Sequence, residues 1–222
     1  MAEKCEAVVI GTGFGGGINA CRLARKWPGR VVVLERGKRY GLGEFPRAPG
    51  DFARNFWVLQ DRTPRPRHVR RAAGKSGELR GMYDIRSYAH MDIVTCAGVG
   101  GGSLIYANVF MVPPDEVFTD VRWPDSCKKA KLEPYYAVAK SVLASRPIPP
   151  HAGEPRRRIL KTELFQNVAR QAQRDSQLVD INVFFVEAPN APSKGIGLQE
   201  PNRYGALQTS CTYCGECICG CN

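Results

Sequence analysis

The hydrophobic pattern begins with a short unbroken run, "CEAVVIG" (Cys5–Gly11), rich in β-branched residues. A run of that length, bounded by glycine, predicts a buried strand. The period then lengthens. Ile18, Ala20, Cys21, Leu23 and Ala24 lay apolar positions along a helix that Pro28 and Gly29 stop. A second run, "VVVLE" (Val31–Glu35), predicts another buried strand, ending in an acid. Beyond it, "FPRAPGDFARNFWVLQDRTPRPRHVRR" mixes proline, arginine and aromatics with no strand–helix alternation.

Regular patterns return later. Met91–Thr95 and Ile181–Glu187 read as strands. Glu133–Ala144 reads as a helix with Ala137, Val138 and Val142 on one face. Thr162–Asp175 reads as another, with Thr162 as its N-cap and Leu164, Phe165, Val168 and Ala172 as its stripe. The stretch "APNAPSKGIGLQEPNRYGAL" reads as loop.

Between the first strand and its helix lie Gly11, Gly13 and Gly16, in the G-x-G-x-x-G spacing. In a dinucleotide site each glycine has a physical task. Gly11 permits the tight turn, Gly13 lets backbone approach a pyrophosphate, and Gly16 lets the helix pack closely on the strand. The helix N-terminus offers N–H groups to phosphate. Glu35, nineteen residues past Gly16, stands where an acid can accept from ribose hydroxyls. The fingerprint alone does not separate NAD from FAD. NAD enzymes of this fold continue in further βαβ units, and their absence here favours FAD.

A second glycine cluster follows in "CAGVGGGSLIYANVFMVPP" (Cys96–Pro114). Such a run lets backbone pass close to something flat or bulky. A flexible linker is the alternative, but a linker would not lead straight into the apolar "LIYANVFMV".

Together "VVIGTGFGGG", "LERG", "GVGGGSLIYANV", "LEPYYAVAKSVL" and "CTYCGECICGCN" resemble the glucose–methanol–choline (GMC) flavoprotein oxidoreductases, in particular their cholesterol oxidase-like branch. The resemblance implies FAD across both glycine segments. Phe14, Gly15 and Glu35 would serve its ADP half, and Gly102, Ser103, Tyr106, Ala107 and Asn108 would lie beside the flavin ring. It implies oxidation of an alcohol or sterol CH–OH group. The expected fold is α/β: a Rossmann-like FAD-binding βαβ domain over 1–115, then the start of an α+β substrate-side domain over 116–222. The family pattern continues well past residue 222, so the chain is expected to be an N-terminal part of a longer protein, inactive alone.

Composition narrows the partners. With 43% hydrophobic residues a packed core is expected. The formal charge of +11 suits an anionic ligand, an acidic partner or a membrane surface. The last is compatible with a lipid substrate. Basic residues are densest at Arg62–Lys75 and Arg156–Arg158, without any nucleic-acid-binding signature. No run is long enough to span a membrane, and the glycines after "EAVVIG" interrupt any signal-peptide core. The expectation is a cytoplasmic protein with reduced thiols.

Alcohol oxidation needs a base. His68, His90 and His151 are the three histidines, and none lies in a catalytic motif, so no catalytic residue is assigned. Cys211, Cys214, Cys217 and Cys221 have the C-x2-C-x2-C-x3-C spacing of iron–sulfur ligation. A 4Fe–4S cluster, zinc, or buried structural thiols remain open there. With a cluster, the chain would instead be a flavin/iron–sulfur electron-transfer module.

Overall fold

The computed structural model describes residues 4–41, 43–58, 64, 66–73, 79–149, 159–186, 195–218 and 220–221. His151, Arg156–Arg158, Glu187, Cys219 and much of Arg62–Lys75 lie outside the described residues. The chain divides into two compact units, Met1–Ala107 with Glu216–Cys221, and Asn108–Gly215 with Asn222.

The first unit opens with the expected βαβ arrangement. Strand β1 (Ala7–Ile10) leads into helix α1 (Phe14–Lys26) and strand β2 (Val31–Leu34). The two strands pair in parallel, Ala7 against Val31 through Ile10 against Leu34. A parallel pair needs a crossover element, and α1 is that element. The helix stops where the sequence predicts, with the Trp27 N–H donating to Leu23 O at 2.8 Å. Little of this apolar surface is covered: α1 has no buried residue, and Ile10 is 85% exposed.

The core of the unit comes from the unpatterned stretch and the residues on either side of it. Together they contain α2 (Pro49–Arg54), β3 (Trp57–Val58), α3 (Arg67–Ala73), β4 (Leu79–Arg80), β5 (Tyr83–Ser87) and β6 (Asp92–Cys96). Strands β3 and β4 pair antiparallel, as do β5 and β6. Tyr40, Phe56, Val58, Val69, Met82 and Tyr83 form one buried cluster. The expected strand at Met91–Thr95 is β6, one residue further along. Its partner β5 was not expected, and the pair makes a hairpin closed by the Tyr88 N–H donating to Met91 O at 2.9 Å. Within β5, Asp84 is fully buried. Its carboxylate accepts from Arg36 at 2.8 Å and from Arg86 at 3.2 Å. A buried carboxylate needs such partners.

The second unit holds a three-stranded sheet in the order β7 (Val109–Phe110), β9 (Asp180–Ile181), β8 (Arg146–Pro147), all antiparallel. Short helix α4 (Asp115–Phe118), helices α5 (Lys129–Leu143) and α6 (Leu160–Gln171), and a hairpin of β10 (Gln199–Pro201) with β11 (Leu207–Thr209) complete it.

Three expectations are corrected here. Helix α5 starts at Lys129, not Glu133, and runs through Pro134. Its first turn is already set by the Lys131 and Leu132 N–H groups on Lys128 O. Helix α6 starts at Leu160, so Thr162 lies inside it and is not its cap, and it ends at Gln171 rather than Asp175. The strand expected over Ile181–Glu187 shrinks to Asp180–Ile181. Hydrogen bonds around the residues after it go to irregular partners. Asn182 N–H donates to Asn108 O at 2.7 Å, Phe184 O accepts from Cys211 N–H at 2.9 Å, and Val186 N–H donates to Ser210 Oγ at 3.0 Å. An apolar run thus became a buried loop with paired backbone, which the pattern of side chains cannot foretell.

Candidate dinucleotide site

The turn between β1 and α1 is built as the glycine spacing predicts. Gly11 adopts φ +88°, a conformation that favours glycine. A Cβ on Gly16 would lie 2.0 Å from Gly11 O, so only glycine lets the helix approach the strand this closely. Gly13 and Gly15 differ: a Cβ on either would meet nothing within 4 Å. Their surface faces open space at the start of α1. The first backbone bond of the helix runs from Gly17 N–H to Gly13 O at 2.8 Å. The N–H groups of Phe14, Gly15 and Gly16 therefore have no partner in the helical ladder. An open glycine surface beside these donors fits a phosphate.

The second glycine cluster folds onto the first. After β6, Gly100 (φ +113°) turns the chain into a 3-10 helix, Gly101–Leu104. A Cβ on Gly101 would lie 2.8 Å from Gly13 Cα. A Cβ on Gly102 would stand 3.9 Å from the Phe14 ring. Phe14 and Tyr106 meet edge to face, with centroids 5.4 Å apart. Ser103 is exposed, and its hydroxyl donates to Gly100 O at 3.0 Å. Gly13, Phe14, Gly101, Gly102 and Tyr106, eighty-odd residues apart in sequence, thus form one surface.

Ala107 (φ +59°) and Asn108 (φ +60°) are both left-handed without being glycine. Each such residue costs about 1–2 kcal/mol. Strain of this kind concentrates at functional sites, held in place by its surroundings. Asn108 belongs to the second unit, where its carbonyl accepts from Asn182.

Glu35 ends β2, with its carboxylate turned onto the turn. Oε2 accepts from the Thr12 N–H at 2.9 Å and the Thr12 hydroxyl at 2.6 Å, and Oε1 accepts from the Gly37 N–H at 2.9 Å. Partial burial alone would push the carboxyl up. The bonds from the Thr12 hydroxyl and from the Gly37, Thr12 and Arg36 N–H groups outweigh it and hold Glu35 below the usual carboxylate range. Glu35 is thus ionised and ordered before any ligand arrives.

Two residues here escaped the sequence reading. Thr12 joins the two glycine segments: its hydroxyl also accepts the Gly100 N–H at 3.0 Å. Gly37 packs backbone to backbone, and a Cβ there would lie 2.2 Å from the Ala97 carbonyl carbon. "LERG" carried the signal for Gly37; nothing in the pattern marked Thr12.

The two described histidines are both exposed. His68 is exposed on α3, its ring 5.8 Å from Phe56, and His90 is exposed in the β5–β6 turn. Cys211 and Cys214 belong to the second unit, Cys217 and Cys221 to the first. Cys211 is tied by its N–H to Phe184, and its sulfur accepts from the Tyr213 N–H at 3.3 Å. Beyond them, Glu216 pairs with Arg47, and Gly220 leaves no room for a Cβ against the Phe45 ring. Among the described residues, no three His, Cys, Asp or Glu side chains are placed to hold a metal ion. No helix there is long and apolar enough to cross a membrane.

Along its whole length the chain is similar to proteins named cholesterol oxidase. It is 28% identical over 227 residues to one from Acinetobacter baumannii, which covers 97% of this chain and 35% of that protein. It is 30% identical over 229 residues to those of two Mycobacterium tuberculosis strains, CDC 1551 / Oshkosh and H37Rv, covering 100% of this chain and 35% of each. The chain spans about a third of the length of the curated relatives it matches. No family model matches it.

Proposed function

We propose that this chain, a distant relative of the cholesterol oxidases and so of the GMC oxidoreductases, is the FAD-binding portion of a flavin-dependent oxidoreductase acting on the CH–OH group of an alcohol or sterol. The observation that carries the reading is the approach of Gly101 to Gly13. It joins two glycine-lined backbones into one surface beside the N-terminus of α1. A single phosphate-binding turn would need no second strand of glycines against it.

In this reading the pyrophosphate lies over Gly11–Gly16, with the N–H groups of Phe14, Gly15 and Gly16 toward it. Glu35 stands beside this turn as the acid for the ribose, whose hydroxyls would share its carboxylate with the bonds from Thr12, Gly37 and Arg36. Gly102, Ser103, Tyr106, Ala107 and Asn108 border the flavin ring, where the strained Ala107–Asn108 backbone shapes the surface. When bound, FAD supplies the hydride acceptor. The residues here bind and orient; none is assigned as the base that takes the hydroxyl proton. The name of the relatives supports a sterol as the substrate class.

Purified chain, denatured to release its cofactor or titrated with FAD and NAD, tests the reading. FAD in the released material, or saturable quenching of FAD fluorescence, is expected. Binding of NAD with no binding of FAD would overturn it.

A further inference from the structure

Thr12, inside the first glycine segment, bonds through its side chain to the second segment and to the acid between them. Its hydroxyl has one proton and two lone pairs. Glu35 Oε2 stands 2.6 Å away, Gly100 N 3.0 Å and Gly98 O 3.5 Å. Glu35 is held in its ionised form, and an ionised carboxylate only accepts. The single proton therefore goes to Glu35, the nearer and stronger acceptor. The oxygen is left to accept the Gly100 N–H. The Thr12 backbone N–H donates to the same carboxylate at 2.9 Å.

The consequence is a chain of bonds running Glu35–Thr12–Gly100. It ends at the left-handed Gly100 that starts the 3-10 helix, whose first residue, Gly101, is packed on Gly13. Nearby, the Val99 N–H donates to Lys38 O at 3.0 Å and the Gly101 N–H to Gly98 O at 2.8 Å.

We propose that Thr12 is a positioning residue that sets the separation of the two glycine segments and couples it to the ionised Glu35, so that the FAD surface is assembled before FAD binds. The proposal rests on the FAD-binding reading above. It makes the hydroxyl, not the side-chain volume, the essential feature. Thr12→Val keeps the shape and loses both hydroxyl bonds, whereas Thr12→Ser keeps both.

Two measurements on the full 222-residue chain test it. The first is FAD affinity from fluorescence quenching. Thr12→Val is expected to weaken FAD roughly ten- to a hundred-fold, the range for losing a charge-assisted bond, and Thr12→Ser to stay within about threefold of the parent. The second is amide hydrogen exchange without flavin. Gly100 is expected to lose protection in Thr12→Val and keep it in Thr12→Ser, while the Gly11 N–H, bonded to Leu34 O at 2.7 Å, stays protected in both. Should Thr12→Val fail to fold, Thr12→Ala removes the same hydroxyl with the smaller side chain, and Gly100 protection must fall there too. If the parent binds FAD and Thr12→Val binds it equally with Gly100 still protected, this proposal alone falls. If Thr12→Ser is as impaired as Thr12→Val, the hydroxyl is not the essential feature and the proposal falls. A parent chain that binds no FAD overturns the functional reading beneath it.

Discussion

The βαβ unit and the segment after it divide the work of the first unit in opposite ways. Residues 7–34 follow a regular pattern and bury almost nothing: β1 and β2 have no buried residue, nor does α1. Residues 40–83 show no element in their pattern, yet they supply Tyr40, Phe56, Val58, Val69, Met82 and Tyr83 to the core. Periodicity reports local geometry, because it needs only neighbours along the chain. Burial depends on which distant segments meet. In this unit the patterned βαβ part carries Gly13 and Phe14 of the glycine surface, and the unpatterned part holds the fold.

Truncating each region in turn should expose that division most sharply. Met82 is wholly buried, so Met82→Ala is expected to cost about 2–5 kcal/mol of stability. Ile10→Ala, at a residue 85% exposed, should stay within about 0.5 kcal/mol. Urea midpoints of the two variants decide the matter. Equal losses would erase the distinction.

Glycines give a second contrast, somewhat smaller. Gly37→Ala drives a methyl into the Ala97–Gly98 backbone and should cost about 1–3 kcal/mol of stability. Gly13→Ala meets only open space and should leave the midpoint unchanged, while weakening FAD by a similar amount through the proposed pyrophosphate contact. The pair separates a glycine kept for packing from one kept for a ligand. A Gly13→Ala chain that binds FAD like its parent would sever the link between open surface and cofactor.

What could be read in advance follows the same line. Gly11, Gly13, Gly16 and Glu35 were legible because a turn, a helix start and a strand end each leave a signature within a few residues. The strand β5 was not, since "YDIRS" alternates around an aspartate that only burial against Arg36 and Arg86 makes tolerable. Pro134 hid the start of α5, because proline favours a first turn and here lies inside the helix. Thr12 was invisible for a different reason. Its partners are 23 and 88 residues away, and threonine between two glycines carries no period of its own.

The core also contains a misfit that should be improvable. Tyr40 is buried, and its hydroxyl has no hydrogen-bond partner among the described residues. Burial, with Cys96, Glu44 and Tyr83 around it, pushes the phenol up to about 12. An unpaired buried donor costs about 1–3 kcal/mol. Tyr40→Phe removes it and keeps the ring against Phe45, 5.9 Å between centroids. The thermal midpoint is expected to rise, by the equivalent of about 1 kcal/mol. A fall would mean that the hydroxyl has a role the packing does not reveal.

The smallest expected effect lies where the two regions touch, at Glu35. Its carboxyl is held below the ordinary range in the folded chain and returns to that range on unfolding. A group lowered by folding contributes stability above its unfolded value and loses it as pH falls through its folded one. The parent should therefore exceed Glu35→Gln in stability near neutral pH, and the gap should close as pH falls through and below the ordinary carboxylate range. Glu44, Asp51 and Asp120 are lowered as well, and they titrate in the same window in both proteins. Subtracting the variant removes their share. The Cys96 thiol, pushed up to about 11 by burial and by the Glu35 charge, stays neutral throughout. The change in the gap therefore belongs to Glu35 and to the bonds it accepts from Thr12, Arg36 and Gly37. A gap that does not vary from neutral pH to below the ordinary carboxylate range would show that this carboxylate, ordered as it is, adds nothing to the stability of the patterned region.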